Sequence, residues 1–466
     1  MSQGRSGLAF VVCVGIAIWA LPRPDAVDPR AWRLLAIFVA TVAGIIAKPL
    51  PMGAMAVVGM AAALATRTLT IGEALSGFAN ATVWLVVAAF FLAAGFIKTG
   101  LGARIAYVLV AAFGRTTVGL GYSLVAADLV LAPLVPSNTA RAGGVIFPIL
   151  QSLTGTVFGT ESPASARTRT FLTLTAYNGT VITSGMFVTA MVANPLVVQL
   201  AADQGVPITW RLWALAAVVP GTISLIVVPL LIYWLCAQGS AATDAAPRAA
   251  AAALARLGPV TPSERLMGAV SVVLLGVWIL GSSVGIDTTA AALIAVAALL
   301  VTGVLHWDDL ARDRDAWNTY VWFASLVTMA TYLGQFGLTA WFTGEVRSVL
   351  GGVGWVPGLL GVVFVYFYSH YFFASNTAHV TAMYAPFLAV ALALGTPPLL
   401  AALALGFSSN LFASLTHYGT APAPILFSSG HVPLGTWWRV GFIVSLVNIA
   451  IWAGIGAAWW RALGLW

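Results

Sequence analysis

Apolar residues along this chain come in long unbroken runs rather than in alternation with polar ones. A helix needs about 20 such residues to cross the hydrocarbon core of a bilayer, and somewhat fewer where its flanks snorkel. The pattern predicts eleven crossings, over 7–22, 32–49, 51–66, 80–98, 170–196, 210–236, 266–282, 287–304, 318–334, 397–427 and 438–463. A β-barrel is excluded, because its strands alternate apolar and polar residues over about ten positions. Two further apolar stretches, 115–150 and 353–394, are each interrupted by a polar cluster and are long enough to enter and return. They predict re-entrant hairpins.

The two polar clusters match. The first reads Pro136-Ser137-Asn138-Thr139-Ala140-Arg141 and the second Ala374-Ser375-Asn376-Thr377-Ala378-His379. The shared Ser-Asn-Thr-Ala recurs at the same depth, its Asn lying 106 residues after Trp32 and 110 after Leu266. Each half then holds five crossings and one hairpin. Five is odd, so the halves run in opposite senses through the membrane. The predicted fold is an all-α polytopic membrane protein built as an inverted repeat. Its parts are an N-terminal helix and loop (1–31), a first repeat (32–236, hairpin 115–150), an Ala-rich cytoplasmic linker (237–265) and a second repeat (266–466, hairpin 353–394). Inverted repeats of this kind build secondary transporters whose site lies at the repeat interface near the midplane. Polar tips at that depth are tolerated where they line a protein or water-filled cavity.

Composition strengthens this reading. Only 8% of the 466 residues are charged, 60% are hydrophobic and the mean hydropathy is +0.96, which excludes a water-soluble globule. The net charge of +7 does not signal a nucleic-acid partner, because the basic residues are scattered through short loops. Sorted by side, thirteen of the 21 Lys and Arg fall with the N-terminus, seven fall opposite, and Arg141 stands alone beside the first tip. The positive-inside rule therefore predicts an inner (plasma) membrane protein with its N-terminus in the cytoplasm and its C-terminus outside. Cys13 and Cys236 sit inside apolar runs with no thiol-rich motif around them, and read as inert. The run from Leu8 to Leu21 has a signal-peptide alternative, which the other spans do not require. Trp residues at span ends, such as Trp210, Trp437 and Trp459, read as interfacial anchors.

Ser-Asn-Thr at a hairpin tip offers hydroxyls and an amide without formal charge. Their oxygens suit a hard cation such as Na⁺, and their hydrogens suit a carboxylate. A helix N-terminus at each return adds backbone N–H groups aimed at an anion. Turning the chain is the plainer role for either tip alone, but it does not account for the matched pair.

Paired Ser-Asn-Thr tips in inverted halves resemble the divalent anion/sodium symporter family, the dicarboxylate and citrate carriers of bacteria, plastids and animal plasma membranes. The longer strings 136–148, Thr189 to Pro195, Tyr371 to Ser375 and Leu415 to Gly419 are similar to the plastid 2-oxoglutarate/malate translocators and their bacterial citrate and tartrate exchanger relatives. The resemblance runs from about Trp32 to Trp466. It implies that Thr139 and Thr377 contact the substrate carboxylates, and that Ser137, Asn138, Ser375 and Asn376 sit where substrate and Na⁺ sites meet. It places partner loops at Ser184 to Pro195 and Thr416 to Pro422, with Asn194, Pro195, Thr420 and Pro422 toward the substrate and Gly185 and Gly419 toward Na⁺. The resemblance also implies a homodimer in which a transport domain moves against a scaffold, with no cofactor. Symporters of the family often carry a Thr-Pro-Pro type turn in these loops. Ala193-Asn194-Pro195 and Thr420-Ala421-Pro422 depart from it, which argues against Na⁺.

Arg141 and His379 each follow the Thr of a tip by two residues. Both are expected at the substrate, because a dianion at the midplane needs positive charge nearby. A fixed cation would slow return of the empty carrier and favour obligatory exchange of one anion for another. The alternative is that Arg141 pairs with Asp128, the one acid well inside a membrane segment. The expected function is transport of di- or tricarboxylates, as an exchanger first and as a Na⁺-coupled symporter second. No enzyme is expected. The chain lacks a His-Glu-x-x-His helix, and Gly281-Ser282-Ser283-Val284-Gly285 matches Gly-x-Ser-x-Gly only in a turn between spans. An anion channel would call for basic rings or a continuous pore lining.

Overall fold

A computed structural model describes residues 2–157, 162–240, 243–281, 285–350, 352 and 354–466. Ser282, Ser283 and Val284 of the Gly-x-Ser-x-Gly match lie outside the described residues. Every regular element among the described residues is a helix, in accord with the predicted all-α class.

Helix starts follow from local chemistry. Asp28 accepts from the Arg30 N–H ahead of Pro29–Ala47, with Pro at the first helical position. Asn80 caps Ala81–Thr99 through the N–H groups of Thr82 and Val83. Thr261 and Glu264 form a capping box at Pro262–Leu280. Among the described residues, seven helices are long and apolar enough to cross a membrane: Pro29–Ala47, Ala81–Thr99, Trp210–Cys236, Pro262–Leu280, Trp355–Phe372, Pro398–Leu415 and Leu434–Ala462. Arg314–Gln335 with Leu338–Leu350, bent by 62°, makes an eighth. The chain is an integral membrane protein.

The apolar pattern predicts more crossings than length alone supports, for two physical reasons. Met52–Ala65 and Thr288–Val301 are 14 residues each, about 21 Å at 1.5 Å per residue and short of the roughly 30 Å core. The stretch predicted over 170–196 is a helix, Pro163–Met186, that breaks and resumes as Ala193–Ala202. The last predicted stretch but one breaks likewise: Pro398–Leu411 and a 3₁₀ turn to Leu415 precede a loop, and the helix resumes at Pro422–Phe427. Trp355–Phe372 is long enough to cross, although the chain turns back just after it.

The region read as a linker holds a helix, Ala246–Leu257, packed on Leu101–Phe113. Arg104 ties them to the next span, with 2.6 Å to Glu264 Oε1 and 3.0 Å to the Gly258 carbonyl. On the same side, Lys98 donates to Asp309, and this bond holds the Asp309 carboxyl below the usual carboxylate range. The two broken helices meet at the centre. Tyr177 of the first donates to the Ala413 carbonyl of the second at 2.5 Å, and Trp213 donates to the Gly185 carbonyl at 2.8 Å.

Candidate functional site

The two hairpin tips are built alike. Ser137 caps the helix that starts at Asn138 by accepting from the Ala140 N–H at 3.1 Å. The helix passes through a π-helical turn, Ala142–Ile146, and continues as Phe147–Val157. Ser375 caps the helix that starts at Asn376 through the Ala378 N–H at 3.4 Å. A π-turn, Val380–Tyr384, again precedes a straight continuation, Ala385–Ala393. Each Ser is thus a cap whose helix presents its first N–H groups beyond it, and these groups have no partner within the helix.

Both tips open on one cavity of about 470 Å³. Ser137, Asn138 and Thr139 line it from one hairpin and Ser375, Asn376 and Thr377 from the other, with Thr420 between. The amides are held in place. Asn138 Nδ2 lies 3.3 Å from both Thr420 Oγ1 and Met191 Sδ. Asn376 Nδ2 donates to the Ser409 carbonyl at 3.2 Å and lies 3.5 Å from the same sulfur. Met191 therefore joins the two tips. The opposite wall comes from the helix Arg314–Gln335, through Asn318, Thr319 and Trp322, with Met52 and Phe90. Sequence reasoning singled out none of these wall residues. The available signal was Asn318-Thr319, a polar pair near the start of an otherwise apolar span. Gly53 packs on Asn318, where a Cβ would come within 2.5 Å of Oδ1. No Lys, Arg or His is among the described lining residues, and Asp315 is the charged one.

The other predicted residues lie behind this surface. Arg141 is fully buried. Its Nε bonds Asp128 Oδ1 at 3.1 Å, Nη1 bonds the Val135 and Ala190 carbonyls at 2.6 Å each, and Nη2 bonds Ser184 Oγ at 2.9 Å. Thr183 donates to the other oxygen of Asp128. The pairing with Asp128, the alternative to a substrate contact, is the arrangement present. His379 is also fully buried and faces His370, with Nδ1 to Nδ1 at 3.0 Å. Asn194 braces the break in the first broken helix. Its Nδ2 donates to the Ser184 and Phe187 carbonyls at 2.7 and 2.9 Å, and its Oδ1 accepts from Asn410 Nδ2 at 2.8 Å. Pro195 and Pro422 stand in the first turns of the helices that resume after the breaks. A Cβ at Gly419 would meet His370 Nε2 at 2.6 Å and Thr416 Oγ1 at 2.8 Å, so any larger residue would have to displace one of these side chains.

Replacing Asn194 by alanine removes the side-chain partner of the buried Ser184 carbonyl, of the half-buried Phe187 carbonyl and of one Asn410 amide hydrogen, the other staying on the Gly406 carbonyl. The expected cost is about 1–3 kcal/mol for each group left unsatisfied. It would be read as a lowered unfolding temperature of the purified protein, and an unchanged temperature would count against the brace.

Residues 4–466 match the family described as "Sodium:sulfate symporter transmembrane region". The chain belongs to this family. A Bacillus subtilis member named "Putative malate transporter YflS" is 51% identical over 463 residues, covering 98% of this chain and 96% of its own. "Dicarboxylate transporter 1, chloroplastic" of Spinacia oleracea is 47% identical over 474 residues, covering 100% of this chain and 83% of its own. Among solved structures, the Alcanivorax borkumensis YdaH transporter superposes with a TM-score of 0.59 at 16% identity, over 86% of this chain and 89% of that one. Likeness at that identity speaks to the fold alone. Within the sodium:sulfate symporter family, then, this member carries two Ser-Asn-Thr tips on one polar cavity.

Proposed function

We propose that this family member is a secondary transporter of di- and tricarboxylates (malate, 2-oxoglutarate, succinate, tartrate or citrate) that exchanges one anion for another by alternating access. The observation that carries the reading is the meeting of both tips on one cavity. Hydroxyls of Ser137, Thr139, Ser375 and Thr377, the amides of Asn138 and Asn376 and two helix N-termini converge from two sides, which suits an anion with two carboxylates. The names of two relatives, a putative malate transporter and a dicarboxylate transporter, support the dicarboxylate part of this class. In this reading the chain lies in a bacterial inner membrane, N-terminus inside.

Exchange rests on a different argument from that of a bare cation, because Asp128 neutralises Arg141. Four oxygens converge where the first tip meets the partner loop: those of Val135, Ala190, Ser184 and Asp128. That is a cluster a bound Na⁺ would use, and a guanidinium that cannot dissociate fills it. His379 and His370 take the matching place at the second tip. One observation favours Na⁺ symport as a second reading. The described lining residues offer a dianion no basic side chain, and Asn376 Oδ1 is buried without a hydrogen-bond partner.

Counterflow in proteoliposomes separates the two. Vesicles loaded with malate or a related acid are expected to take up labelled dicarboxylate without Na⁺, and empty vesicles to take up little. Strict Na⁺ dependence would overturn exchange, and no exchange of any acid in the panel would overturn the substrate class.

A further inference from the structure

His370 and His379 form a pair of a kind that structural packing alone does not require. Both rings are fully buried. Their Nδ1 atoms are 3.0 Å apart, and the outer nitrogens are also engaged: His370 Nε2 lies 3.1 Å from the Gly419 carbonyl, and His379 Nε2 lies 3.3 Å from Ser369 Oγ. A carbonyl only accepts, so His370 Nε2 must carry a hydrogen, and the Nδ1 of neutral His370 is then an acceptor.

Ser369 decides the rest. Its hydroxyl has one hydrogen and two neighbours, the Tyr366 carbonyl at 2.9 Å and His379 Nε2 at 3.3 Å. If the hydroxyl donates to His379 Nε2, then His379 Nδ1–H donates to His370 and the pair is neutral. If it donates to Tyr366, then His379 Nε2–H donates to Ser369 Oγ. The two Nδ1 atoms would then face each other at 3.0 Å without a hydrogen unless one extra proton lies between them. The same heavy atoms therefore satisfy two states that differ by one proton. The extra charge is shared by two rings that stack on aromatic faces: His379 on Phe373 at 4.5 Å and His370 on Phe412 at 3.9 Å.

The groups around the pair give no counter-charge. Tyr366, packed on His379, has its hydroxyl on Ser409 Oγ, and Tyr384 of the returning arm has its hydroxyl on the Ala402 carbonyl. From the loop of the second broken helix, His417 Nδ1 accepts from Trp438 and Tyr418 donates to the Tyr371 carbonyl. Among the described residues, neither histidine has a carboxylate, Lys or Arg as a hydrogen-bond, ion-pair or ring partner. The adjoining cavity has one carboxylate among its described lining residues, Asp315 on the opposite wall. Thr377, two residues before His379, and Thr420, next to Gly419, both line this cavity.

We infer that the His370–His379 pair is a proton-binding site that fills when a dianion occupies the cavity and empties when the anion leaves. The inference rests on the proposed dicarboxylate site. It makes the second tip the titratable counterpart of the first, where Arg141 and Asp128 are a fixed neutral pair. Linkage requires the effect to be reciprocal: the anion promotes protonation, and lower pH promotes anion binding, up to tenfold per pH unit for one linked proton.

The test uses the full chain labelled with ¹⁵N-histidine. The sequence has five histidines, and a chain with His306, His417 and His431 changed to glutamine leaves only the pair. Above the pH at which the acid's own carboxyls titrate, saturating malate is expected to shift both rings from neutral tautomers to a shared-proton signature. Rings that stay neutral, in protein that catalyses malate counterflow, would overturn the inference. Absence of counterflow with every acid tested would instead overturn the proposed function, and the linked proton with it.

Discussion

Replacing Asp128 by asparagine is expected to destabilise the protein by about 3–5 kcal/mol, the cost of leaving a buried charge unpaired. Arg141 has no exposed side-chain surface and Asp128 has 2%, so neither can turn to water. Arg141→Met alone should cost a similar amount, because it leaves the carboxylate unpaired. Changing both, as in Asp128→Leu with Arg141→Met, removes both charges together and should recover much of the loss. Unfolding temperatures of the purified proteins in detergent measure all three. A wild-type temperature for Asp128→Asn would mean that the pair contributes nothing, and the account of Arg141 as a fixed structural cation would fail.

The second large effect is at the tips. Asn138→Ala and Asn376→Ala should each lower counterflow by about a hundredfold, because each removes a polar group that lines the cavity and holds its tip, at about 1–3 kcal/mol per lost hydrogen bond. Each change also frees its tip from Met191, and from Thr420 or Ser409. Asn318→Ala, on the opposite wall, should have a smaller effect, because that side chain is not bound to either tip. Rates per reconstituted protein test this order. Equal losses at Asn138, Asn376 and Asn318 would argue for a cavity defined by shape rather than by its tips.

Much of this site was legible in the sequence because it depends on local features. A Ser before Asn-Thr inside an apolar stretch predicts a capped helix starting at depth, and both copies form one. The sequence places Arg141 and His379 at the substrate, whereas the structure turns both behind the tips, Arg141 onto Asp128 and His379 onto His370. Two positions along a helix is about 200° of rotation at 3.6 residues per turn. Side chains two beyond Thr139 and Thr377 therefore point away from the cavity that these threonines line. The contributions of Asn318, Thr319 and Met191 could not be read in the same way. They depend on which span packs against the tips, and a run of apolar residues does not encode its partner. The eleven predicted crossings were likewise read from apolar runs, which do not report where a helix of only 14 residues ends or where a longer one breaks.

The claim that both tips form a single carboxylate site has a direct test. The chain's two cysteines, Cys13 and Cys236, are first replaced by serine, and a cysteine is then placed at Thr139 or at Thr377. Each is labelled with a charged thiol reagent at increasing malate concentrations. The account predicts that malate slows labelling at both positions, with the same half-maximal concentration. Protection at one tip and not the other, or at neither, would contradict it.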